Sequence, residues 1–179
     1  MADALITPTI APLRSARLIL MPCPPQVANS AYGGLRQLES LVGARFATDW
    51  LDNDGRSLLG YYAHQINHDP TLLGWGLWLI QHAEDRIVIG SAGFKGKPDE
   101  TGMIEIGYGI SQSYRRQGYT FEAARALVDW AFARPDVRRL TAEALYHNVA
   151  SLRILEKLGM TRTGRMGDYI KWELKNNAK

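Results

Sequence analysis

From Arg17 the chain alternates short apolar runs with polar breaks, and the spacing within each run assigns its structure. Arg17-Leu18-Ile19-Leu20-Met21 is a strand stopped by Pro22, Pro24 and Pro25, which lack the N–H that pairing needs. Gln26 to Asp69 carries Leu35, Leu38, Leu41 and Val42 at helical spacing, with a break at Asp52-Asn53-Asp54-Gly55. Two helices are expected there, the second from about Ser57, a candidate N-cap, to His68, with Asp69-Pro70 as its stop. Trp75 to Gln81, Ile87 to Phe94 and Met103 to Ile110 read as strands on short connections, hence an antiparallel meander. The remainder reads as helix from about Arg116 to Ala133, strand Arg139 to Ala144, helix Ala150 to Leu158, then strands near Met160 to Arg165 and Asp168 to Leu174.

The order β-α-α-β-β-β-α-β-α-β-β implies a mixed, mostly antiparallel sheet flanked by helices, an α/β or α+β fold rather than a doubly wound parallel sheet. With 179 residues, one domain over about 14–175 is expected, with tails at 1–13 and 176–179. Met1 to Ser15, with two prolines and little periodicity, reads as a lead-in whose removal should cost little. Hydrophobic residues at 46% and charged residues at 22% are ordinary globular usage.

Lysine and arginine exceed aspartate and glutamate by 21 to 18, a net charge of +3. That suits an anionic small ligand and falls short of the basic stripe that nucleic acid requires. One cysteine, Cys23, fits a reducing compartment, and no apolar run approaches a membrane span, so a cytoplasmic protein with no membrane or nucleic-acid partner is expected. His64 and His68 stand four apart, but Gln65 occupies the place of a metalloprotease glutamate and no third ligand is suggested, so no metal is expected. Gly107-x-Gly109 lacks the dinucleotide spacing, and no phosphate-loop Gly-Lys-Ser/Thr triplet occurs.

The chemistry concentrates where the third meander strand meets the long helix, through Glu105-Ile106-Gly107-Tyr108-Gly109-Ile110 and the basic turn Arg115-Arg116-Gln117-Gly118-Tyr119-Thr120. A helix start presents unpaired N–H groups and the positive end of the dipole, Gly118 lets the backbone come close, and two arginines add charge. This is a candidate pyrophosphate cradle; taken alone, it also fits a plain glycine turn beside a solvated arginine pair.

The turn resembles the cofactor loop Gln/Arg-x-x-Gly-x-Gly/Ala of the Gcn5-related N-acetyltransferases, in its first arginine, its glycine, the preceding strand and the following helix. Thr120 departs from the small residue of that pattern, either crowding the cofactor or adding a hydroxyl donor. Asn148-Val149-Ala150-Ser151-Leu152-Arg153-Ile154-Leu155-Glu156-Lys157-Leu158-Gly159-Met160 is close to the family helix Asn-x-x-Ser-x-Arg-x-Leu-Glu-Lys-x-Gly-Phe, in the version found in the branch with ribosomal-protein N-terminal acetyltransferases.

The resemblance implies the acyl-CoA N-acyltransferase fold and transfer of an acetyl group from acetyl-CoA to a primary amine by direct attack in a ternary complex. It implies that the backbone of Tyr108, Gly109 and Ile110 receives the pantetheine arm, that Asn148 contacts that arm, and that Arg115 to Thr120 hold the phosphates. Glu105 becomes the candidate base; its other reading is a carboxylate on a solvated strand face or paired with Arg115 or Lys95. Ser151 becomes the candidate partner of the leaving sulfur, since Leu155 stands where many members have a tyrosine; its other reading is a local cap. Arg138 and Arg139 are candidate neighbours of the adenosine end.

The acceptor is expected to be a protein or peptide N-terminus or a small-molecule amine, bound by residues 26–70 and 164–170, and the assembly a monomer or homodimer. Glu39, Asp49, Asp52 and Asp54 are candidate attractors of a cationic amine, and Trp50, Tyr61 and Tyr62 candidate groove walls; equally they fit loop acids and core aromatics. A non-catalytic acyl-CoA-binding module is the reading from another class.

Overall fold

The computed structural model describes residues 10–177. The apolar run after Arg17 forms strand β2 (Leu18–Pro22), joined on its outer side by a two-residue strand β1 (Leu13–Arg14). β1 belongs to the segment expected as a dispensable lead-in. That expectation is corrected for its described part: Leu13 pairs with Leu20, and Ile10 and Leu13 pack on the core. Residues 1–9 lie outside the described residues. The same correction applies at the other end, where Asn176 is buried and its Nδ2 donates to Phe132 O and Val137 O at 3.0 and 3.2 Å. Residues 178–179 lie outside the described residues.

Three helices, rather than two, follow: α1 (Pro25–Asn29), α2 (Leu35–Val42) and α3 (Asn53–His68), with a short strand β3 (Arg45–Phe46) before α3. α3 begins inside the stretch expected to be a break. Asp52, not Ser57, is its N-cap, with Oδ1 accepting from the N–H groups of Asp54 and Gly55 at 3.0 Å each. Aspartate beside glycine serves a helix start as well as a turn, because its carboxylate takes two of the first unpaired N–H groups. Ser57 instead returns its hydroxyl to Asn53 O at 2.8 Å. Asp52→Ala is expected to lower stability by about 1 kcal/mol, read by chemical denaturation.

The meander is β4 (Leu77–His82), β5 (Ile87–Phe94) and β6 (Met103–Ile110), then α4 (Tyr119–Phe132), β7 (Arg139–Leu145), α5 (Val149–Lys157), β8 (Thr161–Met166) and β9 (Tyr169–Lys175). The sheet order is β1-β2-β4-β5-β6-β7-β9-β8, antiparallel except where β6 meets β7 and where β3 meets β5. Both faces of the central strands are covered, so β4 and β5 read as continuous apolar runs. Trp78, Ile80, Ile104 and Ile106 meet Leu127 and Leu155 on the α4–α5 side, while Leu77, Leu79 and Val88 meet Leu38, Leu59 and Ile66 on the α1–α3 side.

One irregularity positions everything that follows. β6 and β7 pair over three positions only, Met103 with Arg139, Ile104 with Leu140 and Glu105 with Thr141. Beyond Glu105, β6 keeps β5 as its partner, and β7 keeps β9 as far as Leu145 opposite Tyr169. The sheet therefore opens in its middle, and the β7-facing edge of residues 106–110 is left without a strand partner.

Candidate active site

The loop after β6 brings the sequence-identified cradle to the mouth of this opening. Arg115 is extended, Arg116 and Gly118 have positive φ of 63° and 85°, and α4 starts at Tyr119 rather than at Arg116 because left-handed residues cannot continue a right-handed helix. Among the described residues no group accepts from the N–H groups of residues 116–120. Arg115, Arg116, Gln117 and Gly118 are exposed, and Thr120 is half-buried in the first turn of α4. Tyr119 turns inward, 7% exposed, with its hydroxyl 3.1 Å from His82 Nε2. The result is a run of outward N–H donors beside two arginines, a set that fits a pyrophosphate.

The opposite bank of the opening is the start of α5. Asn148 caps it, Oδ1 accepting from Ser151 N at 3.2 Å, which leaves the amide nitrogen of Asn148 available. The hydroxyl of Tyr108 lies 3.2 Å from the Ser151 hydroxyl and 3.4 Å from Ser151 O, with one proton to share between them. Tyr108 thus spans from β6 to α5, and burial pushes its phenol above the usual range despite the Ser151 hydrogen bond. Glu105 sits at the last paired position before the strands part, and its carboxylate is ion-paired with Lys95, the residue after β5.

On the α1–α3 side of the sheet lies a cleft of about 770 Å³. Its floor is Gly76, Leu77, Ser91, Gly93, Gly107 and Gly109; its roof is Leu58, Tyr61, Tyr62 and Gln65 of α3. Asp49, Trp50, Asp52 and Asp54 form one wall, and Lys95 and Arg115 stand on the β5–β6 side. A Cβ at Gly107 or Gly109 would meet nothing within 4 Å, so these residues leave open space above β6. Ser91 is 2% exposed, and no group among the described residues bonds its hydroxyl.

Asp49 accepts from Ser111 Oγ at 2.6 Å and from the N–H and hydroxyl of Ser113 at 3.1 and 3.4 Å. Those hydrogen bonds, the Ser111 one foremost, hold its carboxyl below the usual range and tie the approach to α3 onto the loop after β6.

The sequence-identified residues thus fall into one neighbourhood with four exceptions. Glu105 is not among the residues that line the cleft. Glu39 turns to the backbone of β3, accepting from Phe46 N at 3.3 Å, and residues 164–170 do not reach the cleft. Arg138 and Arg139 are corrected as cofactor neighbours: Arg139 pairs with Met103, at the end of β6 away from the loop, about 23 Å along a strand of that length. Arg139 instead bonds Thr101 and Glu173 at 3.2 and 3.4 Å. Among the described residues no helix is long and apolar enough to cross a membrane. Sequence reading missed Ser91, a lone serine in an apolar strand, and Arg17, whose partners lie about a hundred positions away.

Residues 17–161 match the acetyltransferase (GNAT) domain family. The uncharacterized N-acetyltransferase YjdG of Bacillus subtilis (strain 168) is 36% identical over 124 residues, 69% of this chain and 74% of that protein. Among solved structures, RimL, a ribosomal L7/L12 α-N-protein acetyltransferase in complex with coenzyme A, superposes with a TM-score of 0.67 at 18% identity, covering 92% of this chain and 97% of that one. The ribosomal-protein-S5-alanine acetyltransferase of Vibrio fischeri gives 0.66 at 15% identity, covering 94% and 98%. The split sheet, the loop of free N–H groups and these likenesses agree, and the chain belongs to the GNAT acetyltransferase family.

Proposed function

We propose that the protein transfers an acetyl group from acetyl-CoA to the α-amine of a peptide or protein N-terminus, by direct attack with both substrates bound. The observation that carries this reading is the opening between β6 and β7, which links the donor loop at 116–120 to the cleft under α3. Acetyl-CoA supplies an activated acyl group on an extended, amide-bearing arm.

The free edge of residues 106–110 can pair with that arm as it would with a peptide strand, with the Asn148 amide facing it across the opening. The N–H groups of residues 116–120, with Arg115 and Arg116, hold the phosphates. An N–H on the same strand edge stabilises charge developing on the acyl oxygen. Glu105 takes the amine proton, through water because its carboxylate stands outside the cleft lining, and the Ser151 hydroxyl faces the departing sulfur.

On the acceptor side, Asp49, Asp52 and Asp54 favour a cationic amine at the cleft wall. The glycine floor lets an extended main chain lie close to the sheet, and the Ser91 hydroxyl is free to bond it. Release of free CoA thiol from acetyl-CoA, measured against a panel of N-terminal peptides and small amines, tests the reading. A response to peptides is expected. A response to small amines alone moves the acceptor to that class, and saturable CoA binding with no release for any acceptor leaves a binding module.

Gly107→Leu probes the cleft without disturbing the fold, since open space surrounds the position. The side chain would project onto the cleft floor, and the acceptor KM is expected to rise about tenfold or more, the scale of an overpacked contact. Thermal melting should stay unchanged; an unchanged acceptor KM would remove the acceptor from this cleft.

A further inference from the structure

The donor loop contains two residues on the left-handed side of the backbone map, and one of them, Arg116, carries a Cβ that makes this conformation costly. Such a conformation persists where surrounding groups hold it. The holding group comes from the far end of the chain. Arg17, just before β2, donates from Nη1 to Gln117 O at 2.9 Å, the carbonyl that lies between the two left-handed residues.

The rest of the guanidinium is fixed in its turn. Nε and Nη2 donate to Glu122 Oε2 at 2.8 and 2.7 Å, and the Arg17 guanidinium carbon lies 4.3 Å from the centre of the Tyr119 ring. Glu122 is itself anchored, its Oε1 accepting from Ser15 Oγ at 2.7 Å and from Arg17 N at 2.8 Å. Burial alone would raise the Glu122 carboxyl; these hydrogen bonds hold it below the ordinary range, so it stays charged opposite the arginine.

A trans peptide is planar, and its C=O and N–H point in opposite directions. The Gln117 carbonyl faces Arg17, so the Gly118 N–H of the same peptide plane faces away from it, into the run of donors that bond nothing else among the described residues. We propose that Arg17 is a positioning residue for the cosubstrate: by holding the Gln117 carbonyl it aims the Gly118 N–H, and the loop around it, at the pyrophosphate of CoA. Arg17 acts through the loop, and this role rests on acetyl-CoA being the donor.

The test titrates CoA calorimetrically into the full chain carrying Arg17→Met, which keeps the stem of the side chain and removes its fork. The CoA Kd is expected to rise about ten- to a hundredfold, the scale of losing a hydrogen bond to a charged group. Acetyl-pantetheine, which has the thioester and lacks the pyrophosphate, is the second probe, and its kcat/KM should stay within twofold of the unsubstituted chain. Arg17→Lys keeps the charge but lacks the planar fork that reaches Glu122 and Gln117 O from separate nitrogens; it should still weaken CoA, and it decides the matter should Arg17→Met not fold. An unchanged CoA Kd overturns the proposal, as does an equal loss for CoA and acetyl-pantetheine, which marks a general structural role. Absence of CoA binding in the unsubstituted chain defeats the donor reading instead.

Discussion

Glu105→Gln is expected to lower turnover by about 10²- to 10⁴-fold, the usual share of a positioned general base. An α-amine has a pKa near about 8 and a carboxylate one near about 4.3, so full proton transfer before attack would cost about 5 kcal/mol. The proton therefore leaves as the C–N bond forms, when the nitrogen becomes acidic, and a nearby carboxylate is then an adequate acceptor. Glu105 stands at the apex of the β6–β7 opening, and its pairing with Lys95 fixes its direction. Glutamine keeps the shape and removes the basicity. The half-exposed ion pair contributes about 1 kcal/mol or less, so the fold should survive, as a thermal melt would show. Because the substitution strands Lys95 beside the cleft, Glu105→Gln/Lys95→Met is measured with it, and the same loss is expected. A single variant within twofold of the parent, or a double variant restored to it, would strip Glu105 of the role and leave it as a tether between β5 and β6.

The sequence was most legible where periodicity and chemistry coincide. β5 and β6 begin and end where their apolar runs do, β5 with both faces covered and β6 with Ile104 and Ile106 buried on its α4–α5 face. Asn148 and Gly159 bracket α5 by local backbone chemistry alone. The two-residue strands β1 and β3 carry no period that a pattern can reveal, and they exist because neighbours in space complete their pairing. Asp52-Asn53-Asp54-Gly55 was ambiguous for a different reason, since the same side-chain acceptor ends one element or starts the next.

At the site, the acids and aromatics of residues 49–62 were visible as candidates, but which of them share a wall depends on how α3 lies over the sheet. Long-range pairings were out of reach. Nothing local marks Arg17 as the partner of Gln117, or chooses Lys95 over Arg115 for Glu105.

Ser151→Ala is expected to reduce turnover about a hundredfold with CoA affinity near that of the parent. Serine in the first turn of a helix often serves as a local cap, but here the capping bond runs from Ser151 N to Asn148 Oδ1, and alanine keeps that N–H. The hydroxyl itself meets Tyr108, not the helix backbone. A thiol ionises near about 8.5, so the CoA sulfur departs with substantial negative charge unless a donor meets it. The Tyr108 phenol, raised by burial, remains protonated through the working range, and when its one proton goes to Ser151 Oγ rather than to Ser151 O the serine proton is left free to meet the sulfur. Tyr108→Phe should therefore cost about tenfold in kcat, the value of one hydrogen bond, with little change in the acetyl-CoA KM. The two residues act in series, so Ser151→Ala/Tyr108→Phe should be no slower than Ser151→Ala alone. Additive losses would separate the two hydroxyls into independent roles, and an unchanged kcat in Ser151→Ala with an earlier melt would return the serine to a structural one.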